Sequence, residues 1–250
     1  MGMRSARRNR RRSLLTSGLI ASAAFLIVSL EAFRLDPGPA EVRNSGSGGF
    51  SLYAESAAPL PYDLSTPAGR EDLGWTEADS PALSAMSVSS FRLRLGDESS
   101  CMNLYRPTRP RILGANDSFI SRGGFDFAQT LAETATNKDN PWTLLSQTFP
   151  DGAVPAIADA NAVRWQYHLG LGKDLAIKDE RGNVIRLRFV ALLNNSAIQD
   201  EIIIADAPFT RLFPSISGRS FFLIETPRNS ATTVERTLEA QLEQFGFDVA

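Results

Sequence analysis

VIRLRFVALL, residues 184–193, changes its pattern halfway. In the first half Ile185, Leu187 and Phe189 alternate with Arg186 and Arg188, the period-two pattern of a strand with one wet face. Val190-Ala191-Leu192-Leu193 is apolar on both faces, so the strand passes from the surface into a core. Just upstream, Leu175 to Lys178 is a second strand, and Asp179-Glu180-Arg181-Gly182-Asn183 joins the two as a hairpin.

Working outward, Val154 to Ala158 is a short apolar strand. Asp159 is placed to cap a helix running to about Leu169, with Val163 and Tyr167 toward the core and Gly170 as its stop. Downstream, Glu201 to Ala205 is a β-branched strand. Asp206 and Pro208 begin a one-turn helix with Asp as cap, and Arg219 to Glu225 is another strand. Thr232-x-x-Glu235 reads as a capping box opening a last helix, with Val234, Leu238, Leu242 and Phe245 as its buried stripe and Gly246 as its stop. Earlier in the chain, Phe50 to Ala54 and Val88 to Leu95 are strands. In the latter, Phe91, Leu93 and Leu95 face one way and Arg92 and Arg94 the other. Residues 97–150 hold two short helices among many Gly, Pro, Asn and Asp. Strands and helices in this order give an α+β fold with a mixed sheet; two lobes are expected from the resemblance described below.

The N-terminus has a different character. Arg4, Arg7, Arg8, Arg10, Arg11 and Arg12 precede residue 13 with no acid among them. They bring the formal net charge of the whole chain to only -2, while the remainder carries 28 Asp and Glu against 20 Lys and Arg. So acidic a body lacks the basic face that nucleic-acid binding needs. LLTSGLIASAAFLIVSL, residues 14–30, is uncharged. Extended to Phe33 it makes roughly 30 Å of helix, enough to cross a bilayer core. Basic residues ahead of such a stretch are retained in the cytoplasm. The organisation expected is a basic cytoplasmic tail (1–13), a transmembrane helix (14–33), a Gly/Pro/Ser-rich linker (34–49) and an extracytoplasmic domain (50–250). A cleaved signal peptide is the alternative, with Ala21-Ser22-Ala23 as its small-x-small site, and Arg11-Arg12 loosely resembles a twin-arginine signal. Each alternative exports the rest of the chain.

The chemistry-bearing residues are sparse. His168 is the only histidine and Cys101 the only cysteine, so an internal disulfide is impossible and a transition metal would find almost no donors. Burial as a small apolar residue is the default for Cys101. There is no G-x-S-x-G nucleophile elbow. The acids at Asp179-Glu180 and Asp200-Glu201 sit at turns and strand ends, where solvation explains them. Ser45 to Gly49 and Gly170 to Lys173 have a phosphate-loop flavour without the required Lys-Ser/Thr ending. Trp75, Trp142 and Trp165 are scattered. No catalytic, cofactor-binding or metal-binding set is assigned.

The ordered segments VPAIAD (154–159), LGLGKDLAI (169–177), RLRFVALL (186–193) and EIIIAD (201–206), together with the N-terminal helix, resemble the periplasmic core of MacB-type, FtsX-like ABC transporter permeases. CMNLY (101–105), RPRILG (109–114) and RGGFDF (122–127) are similar to a subgroup of large permeases of that type. The resemblance covers roughly residues 10–33 and 87–250. It implies a non-enzymatic permease portion in the cytoplasmic membrane. Its partners would be an ATP-binding subunit and a second permease copy, with no cofactor and no nucleic acid. Such permeases re-enter the membrane through three more helices. Because this chain stops at Ala250, it reads as the first portion of one. The alternatives left by the residues themselves are a signal-anchored hydrolase and an anchored binding or sensor module.

Overall fold

The structure, a computed structural model, describes residues 10–32, 42–75, 86–96 and 109–249. The segment CMNLY, with Cys101, lies outside the described residues. The chain divides into two compact units, Met1–Asp36 and Pro37–Ala250.

Among the described residues the first unit holds one helix, α1 (Arg10–Ala32). Among the described residues no helix is long and apolar enough to cross a membrane. The described residues thus fall short of the span expected over 14–33. The helix starts further back, at Arg10, so charged residues occupy its first turn. Leu14, Leu15, Leu19, Ile20, Phe25, Leu26, Ile27 and Val28 are nevertheless 60–72% exposed.

The second unit is α+β around a mixed ten-stranded sheet. Its strands are β1 (Leu52–Leu60), β2 (Ser87–Arg94), β3 (Arg111–Ala115), β4 (Phe127–Thr130), β5 (Val154–Asp159), β6 (Asp174–Lys178), β7 (Val184–Leu193), β8 (Glu201–Ala205), β9 (Arg219–Glu225) and β10 (Phe247–Val249). The order is β10-β1-β9-β2-β3-β8-β5-β7-β4, with β6 also on β7. Among the described residues only β3 with β8 and β5 with β7 run parallel. The helices are α2 (Pro67–Asp72), α3 (Asp117–Arg122), α4 (Ala135–Asp139), α5 (Asp206–Leu212) and α6 (Arg228–Leu242).

The two lobes expected are replaced by one compact body. β2 pairs with β9 through Ser87–Phe91 and with β3 through Arg92–Arg94, so it carries the sheet across without a break. The central apolar cluster accordingly mixes Phe91 and Phe221 with Phe119, Trp142, Val190 and Ile203. Ion pairs span the same junction. Asp206 at the start of α5 receives Arg92 at 3.0 Å and Arg219 at 3.1 Å. Glu201 and Glu55 share Arg111. Burial pushes the Glu201 carboxyl above the usual carboxylate range, against the pull of Arg111.

The hairpin forms as its pattern predicts, with β6 and β7 in register from Asp174↔Arg188 to Lys178↔Val184. Four details differ. Asp206 does not cap α5, because its carboxylate is taken by two arginines. The last helix starts at Arg228, with Pro227 at its N-cap position, rather than at Thr232. Val234, Leu238 and Leu242 of its stripe are fully buried, but Phe245 is only half-buried, because α6 gives way at Glu243 to a 3-10 turn that Gly246, at φ 60, ends. The chain then turns into β10, antiparallel to β1, a strand too short to show periodicity. Leu95 is 65% exposed rather than buried, because β2 ends one residue earlier.

Candidate functional site

One end of the sheet is built differently from the rest. Among the described residues only Phe125 (φ 70), His168 (φ 53) and Asn195 (φ 44) are non-glycine residues in the left-handed region. Backbone in that region costs roughly 1–2 kcal/mol per residue and tends to cluster where function requires a shape. Phe125 and Asn195 lie in two loops that meet directly, and His168 follows the segment bonded to them.

Residues 42–49, read as the end of a linker, are packed against these loops. The carbonyls of Arg43 and Ser45 accept the N–H groups of Phe125 (2.6 Å) and Asp126 (3.1 Å), and that of Gly46 accepts the N–H of Ala197 (2.9 Å). Gly46 to Gly49 are buried. The glycine at 48 is required twice over: its φ is +64, and a Cβ there would sit 2.3 Å from the Phe125 ring. That ring packs on Phe50, Phe119 and Trp142, with centroids 5.5–6.2 Å away. The Trp142 indole donates to the Gly124 carbonyl at 2.9 Å. Arg122 covers the Phe50 face, 3.9 Å from its centroid, and donates to Gly48 and Glu225. Burial lowers its pKa from the ordinary guanidinium value, although Glu225 opposes this.

The same network continues to the end of β5. Asn194 donates backbone and side chain to Asp126, at 2.9 and 2.7 Å. The buried Asp159 carboxylate accepts the N–H of Ser196 on one oxygen and those of Asn161 and Ala162 on the other. Asp159 therefore caps, as the sequence suggests, but the segment it caps is a single π-turn (Ala162–Gln166) rather than an α-helix to Leu169. Tyr167 bonds back to Ala162, five residues earlier. Val163 and Tyr167 are buried, as expected, and hold the turn on Phe189 and Leu192. His168, not Gly170, makes the left-handed exit, and its side chain is exposed. Insertions of this kind recur at functional sites. Here the turn presents Trp165, 67% exposed, with the Arg164 guanidinium 5.1 Å from its ring centroid.

The three tryptophans thus part company. Trp142 is fully buried, Trp75 packs at the edge of the α6 cluster, and Trp165 alone faces solvent. The sequence carries no periodic signal for this end; the GSGG run and the Gly123-Gly124 pair are its only traces. Among the described residues no group of His, Cys, Asp and Glu is arranged to hold a metal ion.

A groove of about 710 Å³ opens elsewhere, between the β6–β7 hairpin and the ends of β2 and α5, lined by Arg94, Arg109, Lys178, Val184 and Phe213. Arg94 stacks 4.8 Å from the Phe213 centroid. The acids at its rim are engaged: Asp179 accepts two bonds from Asn183, which hold its carboxyl below the ordinary range, and Glu180 accepts from Ser215.

No protein-family model matches the chain, and no curated protein matches its sequence. Solved structures similar to it include the periplasmic region of MacB from Actinobacillus actinomycetemcomitans, at 12% identity and a TM-score of 0.36, covering 82% of this chain and 90% of that one. The extracellular domain of the noncanonic ABC-type transporter YknZ, from Gram-positive bacteria, has 12% identity and a TM-score of 0.36, with 79% and 99% covered. A permease domain from Porphyromonas gingivalis has 11% identity and a TM-score of 0.33, with 79% and 85% covered.

Proposed function

We propose that this chain is the extracytoplasmic portion of an ABC-type permease, retained at the cytoplasmic membrane by α1 and moved by a cytoplasmic ATP-binding partner. The observation that carries the reading is α1 itself. Eight large apolar side chains stand exposed on a helix that directly follows an arginine-rich segment. Water does not hold such a surface, and the arginines favour the cytoplasmic side. In this reading residues 1–13 are cytoplasmic and 50–250 extracytoplasmic. The domain's work is mechanical, and no residue is given a catalytic role. The family resemblance of the segments at 154–159, 169–177, 186–193 and 201–206 supports the ABC context.

Protease added to inner-membrane vesicles of known orientation tests sidedness. Cleavage of the body from the extracytoplasmic face, with the arginine tail spared, is expected; the opposite pattern overturns the reading. Crosslinking in cells followed by purification should recover an ATP-binding subunit. Recovery of the chain without one favours an anchored binding module, for which the groove beside Arg94 and Lys178 is the place to look.

A further inference from the structure

We infer that the bridge Glu55–Arg111–Glu201 is a proton-operated latch between strands that do not neighbour one another in the sheet. Arg111 on β3 lies opposite Glu201 of the adjacent β8, and its Nε donates to that carboxylate at 3.0 Å. The same guanidinium donates to Glu55 on β1, although β9 and β2 stand between β1 and β3 in the sheet order. Two carboxylates therefore draw on one guanidinium. Among the described residues, the charged groups facing Glu201 are Arg111 on β3, Glu55 on β1 and the adjoining Asp200. Asp248 on β10 lies opposite Glu55 in the register. The bridge thus carries more acid than base, and carboxylates crowded in this way favour proton uptake by one of them. Glu201 is the one that takes it. Its side chain is 11% exposed against 41% for Glu55, so ionising it costs more. That burial, reinforced by Asp200 and Glu55, raises its pKa against the pull of Arg111. Once Glu201 is neutral, Arg111 is left to Glu55 alone, and the pair across β9 and β2 tightens. Glu55 also lines a groove of about 450 Å³ with Pro59, Leu93 and the exposed Leu95, so the latch holds one wall of that groove.

The test is urea unfolding of the full chain in mild detergent, read from about pH 7.5 down to about pH 5, above the ordinary carboxylate range. A carboxyl whose folded-state pKa is raised stabilises the fold below that value, and the gain is lost as pH rises through it. Glu201→Gln is isosteric with the protonated acid and keeps an acceptor for Arg111. Its urea midpoint should exceed that of the wild type at the upper end of the window, and the gap should close toward the lower end. Asp200→Asn, which removes one of the facing charges, should move that closure to lower pH. Glu55→Gln should lower the midpoint more at the acid end than at the neutral end, and equally at both ends when combined with Glu201→Gln. A gap between wild type and Glu201→Gln that stays constant across the window means that Glu201 does not titrate there, and overturns the inference. A loss from Glu55→Gln that is the same at both ends in an otherwise wild-type chain means that Arg111 is not handed over. That result overturns the latch without relying on the Glu201 variant to fold.

Discussion

The corner under α6 and the end around Phe125 are both buried, yet they are held in different ways. Under α6, Val234, Leu238 and Leu242 meet Ala54, Val88, Phe222 and Ile224, an aliphatic and aromatic interface whose backbone is all regular helix and strand. Around Phe125 the contacts are aromatic edges, loop carbonyls and a buried carboxylate, with left-handed residues fixing the path of the chain. The first kind of packing yields stability and tolerates repacking. The second specifies one shape, as expected of a surface that must present itself in a fixed way.

The largest expected effect falls on the α6 corner. Leu238→Ala removes a fully buried side chain and should cost about 2–5 kcal/mol. Glu239→Ala, one position round the helix and half-exposed, makes only a long contact of 3.4 Å to the Val249 N–H and should stay within about 0.5 kcal/mol. Urea unfolding of fragment 37–250 measures both. Equal effects would mean that α6 does not pack as described, and would remove one side of the comparison.

Gly48→Ala tests the other side. The new methyl has to coexist with the Phe125 ring, and alanine has to adopt φ +64. The left-handed backbone costs about 1–2 kcal/mol and the forced ring shift about 1–3 kcal/mol, so a loss of about 2–5 kcal/mol is expected in the same assay. Gly182→Ala, also at positive φ but with nothing near the new methyl, isolates the backbone part and should lose only about 1–2 kcal/mol. If the two glycines behave alike, the close packing of residues 42–49 on Phe125 is wrong.

These two regions also differ in how far the sequence discloses them. The stripe Val234-Leu238-Leu242 and the alternation Ile185-Leu187-Phe189 each report burial through regular spacing, because a helix or strand repeats its geometry residue after residue. Loops have no such repeat. SGSGG reads as a flexible linker by composition, yet Gly48 and Gly49 both hold positive φ, and at Gly48 the Phe125 ring leaves no room for a side chain. The π-turn is equally hidden: Val163 and Tyr167, four apart, fit an ordinary helix, and one extra residue in a single turn leaves no mark on that spacing. β3 and β4 escape a sequence reading because each is short and buried or paired in ways that period-two alternation does not capture. For the candidate surface the sequence offers only the residue type of Trp165, and its exposure depends on that turn.

The smallest expected effect has the opposite sign. His168 holds φ 53 with its side chain in solvent, so the imidazole contributes little packing to offset the backbone cost. Glycine adopts this conformation freely. His168→Gly should therefore stabilise the fragment by up to about 1 kcal/mol, the relieved strain being partly cancelled by the greater freedom that glycine gives the unfolded chain. His168→Ala keeps the strain and should leave stability nearly unchanged, and under the mechanical reading neither variant should impair the function of a permease carrying it. A gain for glycine with no change for alanine identifies the left-handed exit of the π-turn as a local strain borne for shape. A marked loss in both would mean that the imidazole makes an interaction worth more than the strain, and the turn would then be held by its side chain, as the α6 corner is.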